Sequence, residues 1–209
     1  LTGQNAITRG RGEKLWPALA IVAAFVATAV LLRLEGRLWI CACGNLQVWA
    51  GRVCSSDNSQ HFLDPYSFTH VLHGFLFFWL IAWLAPRLNS RPPHAGCPRG
   101  DPGTSQLTVA VAVEALWEVF ENTNFIIDRY RSETAALGYN GDTVVNSFGD
   151  SLCCLVGFMI ARRLGLRRSL IVFAVLELVL IVWIRDSLLL EILMLVFPLD
   201  AIKALQMCS

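Results

Sequence analysis

Charged residues are scarce. Asp, Glu, Lys and Arg make up 16% of the 209 residues, whereas a soluble domain carries about 25%. With 55% hydrophobic residues and a mean hydropathy of +0.53, this deficit excludes a disordered chain and argues against an ordinary soluble globule. An excess of one charge sign is missing too. A net charge of +1 leaves no basic footprint, so no nucleic-acid partner is expected. There is no internal repeat and no interrupted helix pair, which speaks against a proton-coupled transporter. No H-E-x-x-H or paired E-x-x-H ligand signature occurs. The length accommodates one integral domain, 1–209, without a second catalytic unit.

What the chain has is apolar runs. About 20 helical residues cross ~30 Å of hydrocarbon. Runs of that order fall at 15–34, 66–86, 107–125, 143–163 and 169–187. A further segment, 188–200, has a twelve-residue apolar run from Leu188 to Leu199. Such a run reaches only ~18 Å and reads as an interfacial or re-entrant helix. The expected fold is therefore all-α: a polytopic membrane bundle of about five transmembrane helices plus that short C-terminal element. Arg9, Arg11 and Lys14 precede the first run, and Arg33 and Arg37 follow it without a clear cleavage site. It reads as a retained anchor rather than a signal peptide. With the N-terminus cytoplasmic, ten basic residues lie inside and six outside, and the turn Arg162-Arg163…Arg167-Arg168 votes most strongly for that orientation. Residues 87–106, with Pro92, Pro93, Pro98 and Pro102, read as a flexible cytoplasmic linker.

Seven cysteines leave at least one unpaired within the chain. Cys41, Cys43 and Cys54 fall in the loop expected outside, where a bridge from Cys54 to Cys41 or Cys43 would persist. A zinc site of Cys41, Cys43, Cys54 and His61 is the sharper alternative, but a lone C-x-C pair is a weak signal for it. Cys153 and Cys154 read as small core residues.

The ionisable residues inside the runs carry most of the information. His70 and His73 are three apart and share a helical face. Glu114, Glu118 and Glu121 form one stripe, and Asp142, Asn146 and Asp150 another. Glu177 and the pair Arg185-Asp186 mark the fifth run. In the expected topology these groups gather within roughly 10 Å of the outer surface. Each buried Asp costs about 2.5–3.5 kcal/mol at a helix centre, so intramembrane ionisable residues mark a functional site by default.

Three readings follow. The groups satisfy one another and fix the bundle, Glu118 with His73, Asp150 with Arg129 or Arg185, and Asn146 with backbone. Or they hold a divalent metal, with His70, His73, Glu118 and Glu121 as ligands. Or Glu and His form a metal-free acid/base pair. For a catalytic site, His70 and His73 serve as ligands or base, Glu118 and Glu121 as ligands or acid, and Asp150 and Asn146 as orienting groups. Arg129 or Arg185 would hold an anionic headgroup, with Tyr66 at the mouth. Trp117 reads as core packing before site lining. Gly138, Gly141 and Gly149 read as turn and close-packing positions.

The stretches WICACG (39–44), SSDNSQH (55–61), DPYSFTHVLHGF (64–75), WEVFENTNFIIDRY (117–130) and GDTVVNSFGD (141–150) resemble an uncharacterised family of bacterial inner-membrane proteins. The likeness runs from about Gly36 to Ala204. It implies a multi-pass protein of the inner (plasma) membrane and brings no reaction with it. More distantly, the layout of the second to fourth runs is similar to VanZ-like membrane proteins. Two functions remain open. One is a small membrane enzyme whose site opens to the outer leaflet and acts on a lipid or lipid-linked headgroup. The other is a non-catalytic accessory subunit or assembly factor of a larger membrane complex.

Overall fold

The computed structural model describes residues 2–88, 102–134 and 138–207. Most of the Pro-rich linker, with His94 and Cys97, lies outside the described residues, as does Cys208. Within them the protein is helical and contains no named strand. The order is α1 (Thr2–Leu34), α2 (Ser67–Leu88), α3 (Pro102–Glu121), α4 (Asn124–Glu133), α5 (Val144–Ile184), α6 (Leu188–Val196) and α7 (Asp200–Gln206). Two stretches, Leu15–Leu34 and Ser67–Ala85, are long and apolar enough to cross a membrane by length and composition.

Several boundaries differ from those expected of the sequence. Residues assigned to the linker, 87–88 and 102–106, are helical. The stretch holding Arg129 and Arg131 is not a loop but α4, started by Thr123, whose Oγ1 accepts from the Ile126 N–H. The C-terminal segment is two short helices rather than one. Ser187 caps α6, and Pro198, which has no N–H to continue a helix, separates it from α7.

Helix α5 is broken once, at Gly165 (φ 70°, ψ 174°), midway between the two arginine pairs. A positive φ of this kind is open to glycine and strained for other residues. Asp150 near the start of α5 and Ile184 at its end line the same cavity, so the chain doubles back at Gly165. Both halves pack on α2. Leu72 and Phe75 of α2 meet Ala161 from the first half and Phe173, Leu180 and Ile184 from the second. Trp79 Nε1 donates to Ser169 Oγ at 2.9 Å. On the first half the backbones nearly touch. A Cβ on Gly74 would sit 2.1 Å from the Cys154 carbonyl oxygen, and one on Gly157 would sit 2.0 Å from that of Val71. Small residues permit this approach, and dispersion across it helps hold the helices together. Helix α1 joins through Ala29 and Leu32 against Val144.

The segment between α1 and α2 folds over the end of the bundle. Val144 N–H donates to Leu38 O, and Thr143 N–H to Ser59 O, tying the segment to the start of α5. The Phe62 carbonyl lies against Gly149, where a Cβ would be 1.8 Å away. Asp64 closes the segment: Oδ1 accepts from the Tyr66 and Ser67 N–H groups at 2.8 and 3.3 Å, and Oδ2 from Ser59 N–H at 2.6 Å. Burial pushes the Asp64 carboxyl above its ordinary range, and those backbone donors pull the other way.

Candidate functional site

Helices α2, α3 and α5 bring their polar stripes together. Glu114, fully buried on α3, is the hub. Its Oε1 accepts from His70 Nδ1 at 2.7 Å, and its Oε2 from His73 Nδ1 at 3.1 Å. One carboxylate thus orients two imidazoles through their Nδ1 atoms. Neither Nε2 has a hydrogen-bond partner among the described residues. His70 Nε2 is 3.9 Å from Asp150 Oδ2, and His70 Nδ1 is 3.3 Å from Glu118 Oε1. His73 is held by rings on two sides, Phe77 stacked at 5.8 Å and Trp117 edge-on at 5.6 Å.

Behind the histidines the hydrogen bonding does not close. Glu118 is 0% exposed, and neither of its carboxyl oxygens has a hydrogen-bond partner. Asp150 Oδ1 and both polar atoms of Asn146 are likewise buried and unpartnered. Buried polar groups are almost always hydrogen-bonded, and buried charges are paired or bind metal. Such a set on facing helices has the capacity to take an ion or ordered water. One ligand atom each from His70, Glu118 and Asp150 lies within 4.8 Å of the others, and the same holds for His70, His73 and Glu114. The first trio has oxygens to spare, whereas the second has already committed Glu114 to the two Nδ1 protons.

The layer forms the floor of a cavity of about 730 Å³. His70, His73, Asp150, Glu121 and Trp117 line it, while Glu114, Glu118 and Asn146 stand behind. Its upper wall comes from segment 53–60 and from 138–142. The second wall is clasped to α3. Asp142 N–H donates to Asn122 Oδ1 at 2.7 Å, and Asn122 Nδ2 donates back to Asp142 Oδ2 at 2.8 Å. Tyr139 OH adds a donor to Asp142 Oδ1 at 3.1 Å. Burial raises the Asp142 carboxyl and raises the Tyr139 phenol well above its ordinary value, so Tyr139 remains a protonated donor. Gly141 (φ +85°) permits the turn, with Arg37 and Asn122 packed against it. Arg37 and Arg131 grip Asn140 from the outer side.

The expected residues divide into two groups. His70, His73, Glu118, Asn146 and Asp150 converge, and Tyr66 and Glu121 line the same cavity. Glu121 belongs to neither ligand trio; its Oε1 accepts from Tyr130 OH at 3.0 Å. The pairing differs from the one expected. Glu114, not Glu118, takes His73, and Asp150 faces His70 rather than an arginine. Arg129 and Arg185 stay out of the cavity. Arg129 Nε donates to Leu195 O at 3.0 Å beside Glu133, and Arg185 Nη1 donates to Met207 O at 3.2 Å. The C-terminal helices supply the carbonyls that draw both guanidiniums away. Among the loop cysteines, Cys41 is bridged to Cys43, and Cys54, expected to pair with one of them, is disulfide-bonded as well. Cys41, Cys43 and His61 of the zinc alternative each bring one ligand atom within 4.8 Å of the others, and the sulfurs of the C-x-C pair could ligate only with the bridge reduced. His61 Nδ1, the fourth donor of that alternative, accepts from Gln47 N–H at 3.3 Å.

Asn122, Tyr139 and Asp64 are site-building residues to which the sequence patterns assign no role. The E-N-T run at 121–123 carries the signal for the first: an amide directly before a Thr cap.

Residues 32–208 match the family described as "Protein of unknown function (DUF2585)". A UPF0314 protein of Rhizobium meliloti (strain 1021) is 43% identical over 196 residues, covering 94% of this chain and 92% of that one. A UPF0314 protein of Sinorhizobium fredii (strain NBRC 101917 / NGR234) is 42% identical over 200 residues, 95% and 93% of the two chains. One of Brucella anthropi is 38% identical over 189 residues, 90% and 89%. No solved structure matches. The chain belongs to this uncharacterised family.

Proposed function

We propose, from geometry, since membership of an uncharacterised family supplies no reaction, that this protein is a small membrane enzyme with a divalent-metal centre facing the outer leaflet. The observation that carries the reading is the buried cluster of Glu118, Asp150 and Asn146 around His70 at the floor of a cavity, in which both Glu118 oxygens, Asp150 Oδ1 and the Asn146 amide make no hydrogen bond. A network serving only as bundle glue would have closed its hydrogen bonds. A metal ion there would supply Lewis acidity and an activated water. His70, Glu118 and Asp150 would hold it. Glu114 fixes the tautomer of both rings, as an outer-shell carboxylate does for ligating imidazoles. His73, which lines the cavity with its Nδ1 held by Glu114, is placed to take and return a proton. The substrate class that suits a cavity at a membrane surface is a lipid or lipid-linked headgroup.

A five-span arrangement fits the apolar surface. Large hydrophobic side chains lie open on α1, α2, α3 and the second half of α5, among them Val22, Leu80, Leu116 and Val182, the last 83% exposed. A soluble monomer does not display belts of that size. In this reading α3 and both halves of α5 cross beside α1 and α2, and the acids on them point inward. Reporter fusions at Arg52 and Pro93 are expected to give a periplasmic and a cytoplasmic signal respectively; the reverse would move the cavity to the inner face.

The direct test is metal binding. Purified full-length protein, stripped with chelator, is titrated with Mn²⁺ and with Zn²⁺. The expected result is one equivalent of either ion, with a rise in thermal stability that follows ligand saturation. Folded protein that takes up neither ion would leave the accessory-subunit reading in place of the enzyme.

A further inference from the structure

The C-x-C pair takes no part in the polar layer, yet the chain builds a setting around it. Cys41-Ala42-Cys43-Gly44 is a tight turn, closed by the Gly44 N–H donating to Cys41 O at 2.9 Å. Gly44 has φ +73°, a conformation that glycine adopts without strain. Within the turn Cys41 is bonded to Cys43, a sequence separation of 2. A disulfide steadies a fold mainly by closing a long loop of the unfolded chain. This one closes almost nothing, and the turn it spans is already shut by a backbone hydrogen bond and a glycine. Stability therefore does not account for the bridge.

Its surroundings suit chemistry. Cys43 is exposed and Cys41 half-buried, and both line the mouth-side wall of the cavity. Exposed disulfides are the labile, regulatory or catalytic ones. The two sulfurs are not equivalent. Cys41 Sγ accepts from the Cys43 N–H at 3.1 Å, a donor that would stabilise a thiolate there. A ring nitrogen of His61, 1% exposed, lies within 4.8 Å of both sulfurs. An imidazole beside a thiol promotes the thiolate and carries its proton. Trp39 and Ile40 before the pair, and Leu46 and Val48 after it, are exposed apolar side chains.

We infer that Cys41 and Cys43 form a thiol–disulfide exchange site whose substrate is a pair of thiols, carried on an apolar polypeptide segment. An incoming thiolate attacks the exposed Cys43 Sγ. A bond forms between the two sulfurs, the Cys41–Cys43 bond breaks, and its electron pair leaves on Cys41 Sγ beside the Cys43 N–H. The proton lost by the substrate thiol reaches Cys41 through His61. The second substrate thiolate attacks its own bridged sulfur and expels Cys43, which takes the second proton. The substrate gives up two electrons and departs as a disulfide, and the C-x-C pair keeps them as a dithiol. The same steps in reverse, with a second disulfide as oxidant, restore the bridge. None of this uses His70 or the polar layer, so the exchange site and the metal centre stand or fall separately.

The test uses the full-length protein in detergent, purified without reductant and kept free of oxygen. The probes are a reduced apolar peptide with two cysteines and, at equal thiol concentration, glutathione. One peptide disulfide is expected to form per protein, with Cys41 and Cys43 becoming open to alkylation as read by mass spectrometry. The peptide is expected to react at least about tenfold faster than glutathione. Glutathione reacting as fast would overturn the polypeptide assignment. A bridge that stays closed against both probes would overturn the exchange site, and neither arm needs a variant to fold. Reduced protein that holds Zn²⁺ on the two cysteines, and fails to reduce the peptide disulfide, would put a metal site in its place. Two variants assign the sulfurs. Cys41→Ser is expected to form a lasting mixed disulfide with the oxidised peptide, because the partner sulfur is missing, and Cys43→Ser to form it at least about tenfold more slowly. The opposite order would overturn Cys43 as the entry sulfur. His61→Gln is expected to slow exchange at neutral pH, the deficit closing as pH passes the ordinary thiol value of about 8.5. A deficit independent of pH would overturn the proton-carrying role of His61.

Discussion

His70→Ala is expected to abolish stoichiometric divalent-metal binding while the protein remains folded. His70 is the one residue common to both ligand trios of the polar layer, so neither of them survives its removal. Glu118→Gln keeps the shape of the side chain and withdraws its charge, and should also lose the ion at any concentration that saturates the wild type. Glu114→Gln is the discriminating variant. Glu114 does not line the cavity and is committed to the two Nδ1 protons. Its replacement should therefore weaken metal affinity about 10–100-fold rather than eliminate it, the usual cost of an outer-shell partner. Isothermal titration of chelator-stripped protein measures all three. If Glu114→Gln were as severe as His70→Ala, Glu114 would be a ligand and the second trio the true centre. If none of the three altered uptake, the ion would bind elsewhere and the polar layer would be glue.

Much of that layer is legible in the amino-acid sequence. His70 and His73, the Glu114 stripe and the Asp142–Asp150 stripe each obey helical spacing, and their burial cost demands that they face one another. Spacing along one helix says nothing about which partner sits across from it. Hence Glu114 takes the role expected of Glu118: both lie on the same face, one turn apart, and only the depth of α3 against α2 decides which meets the histidines. The arginines depart from expectation for a related reason. Arg129 is drawn to Leu195 and Arg185 to Met207, partners 66 and 22 residues away in a C-terminal region that no apolar period resolves into two short helices. Helix α4 is hidden by its polarity, although Thr123 ahead of Phe125-Ile126-Ile127 is a cap signal. The reversal at Gly165 is visible between its arginine pairs, because four cations from Arg162 to Arg168 mark a loop whatever the helices do.

The largest loss of folded protein is expected from Gly157→Val. Its Cβ position lies 2.0 Å from the Val71 carbonyl oxygen and 2.8 Å from the Val71 carbonyl carbon. Those are backbone atoms of α2, which cannot swing aside as a side chain would. Overpacking a tight contact costs typically about 1–3 kcal/mol, and a β-branched residue against rigid backbone belongs at or above the top of that range. Gly74→Ala meets the reciprocal wall, 2.1 Å from Cys154 O and 2.4 Å from Phe158 N. It should fall in the same direction, with a smaller deficit. Gly138→Ala is the control, since nothing lies within 4 Å of its added methyl, and its yield should match the wild type. The readout is folded, monodisperse protein recovered from membranes, together with its thermal midpoint. A second consequence tells a damaged contact from a damaged site. His73 is the residue next to Gly74, and His70 lies one turn earlier on the same helix. Pushing α2 off α5 carries both imidazoles away from Asp150 while α3, with Glu114 and Glu118, stays on its own contacts. The folded fraction of Gly74→Ala should therefore bind metal more weakly than wild type, whereas Gly138→Ala binds normally. A Gly157→Val protein with wild-type yield and midpoint would show that α2 and the first half of α5 are not in backbone contact, and the convergence of His70 with Asp150 would fall with it.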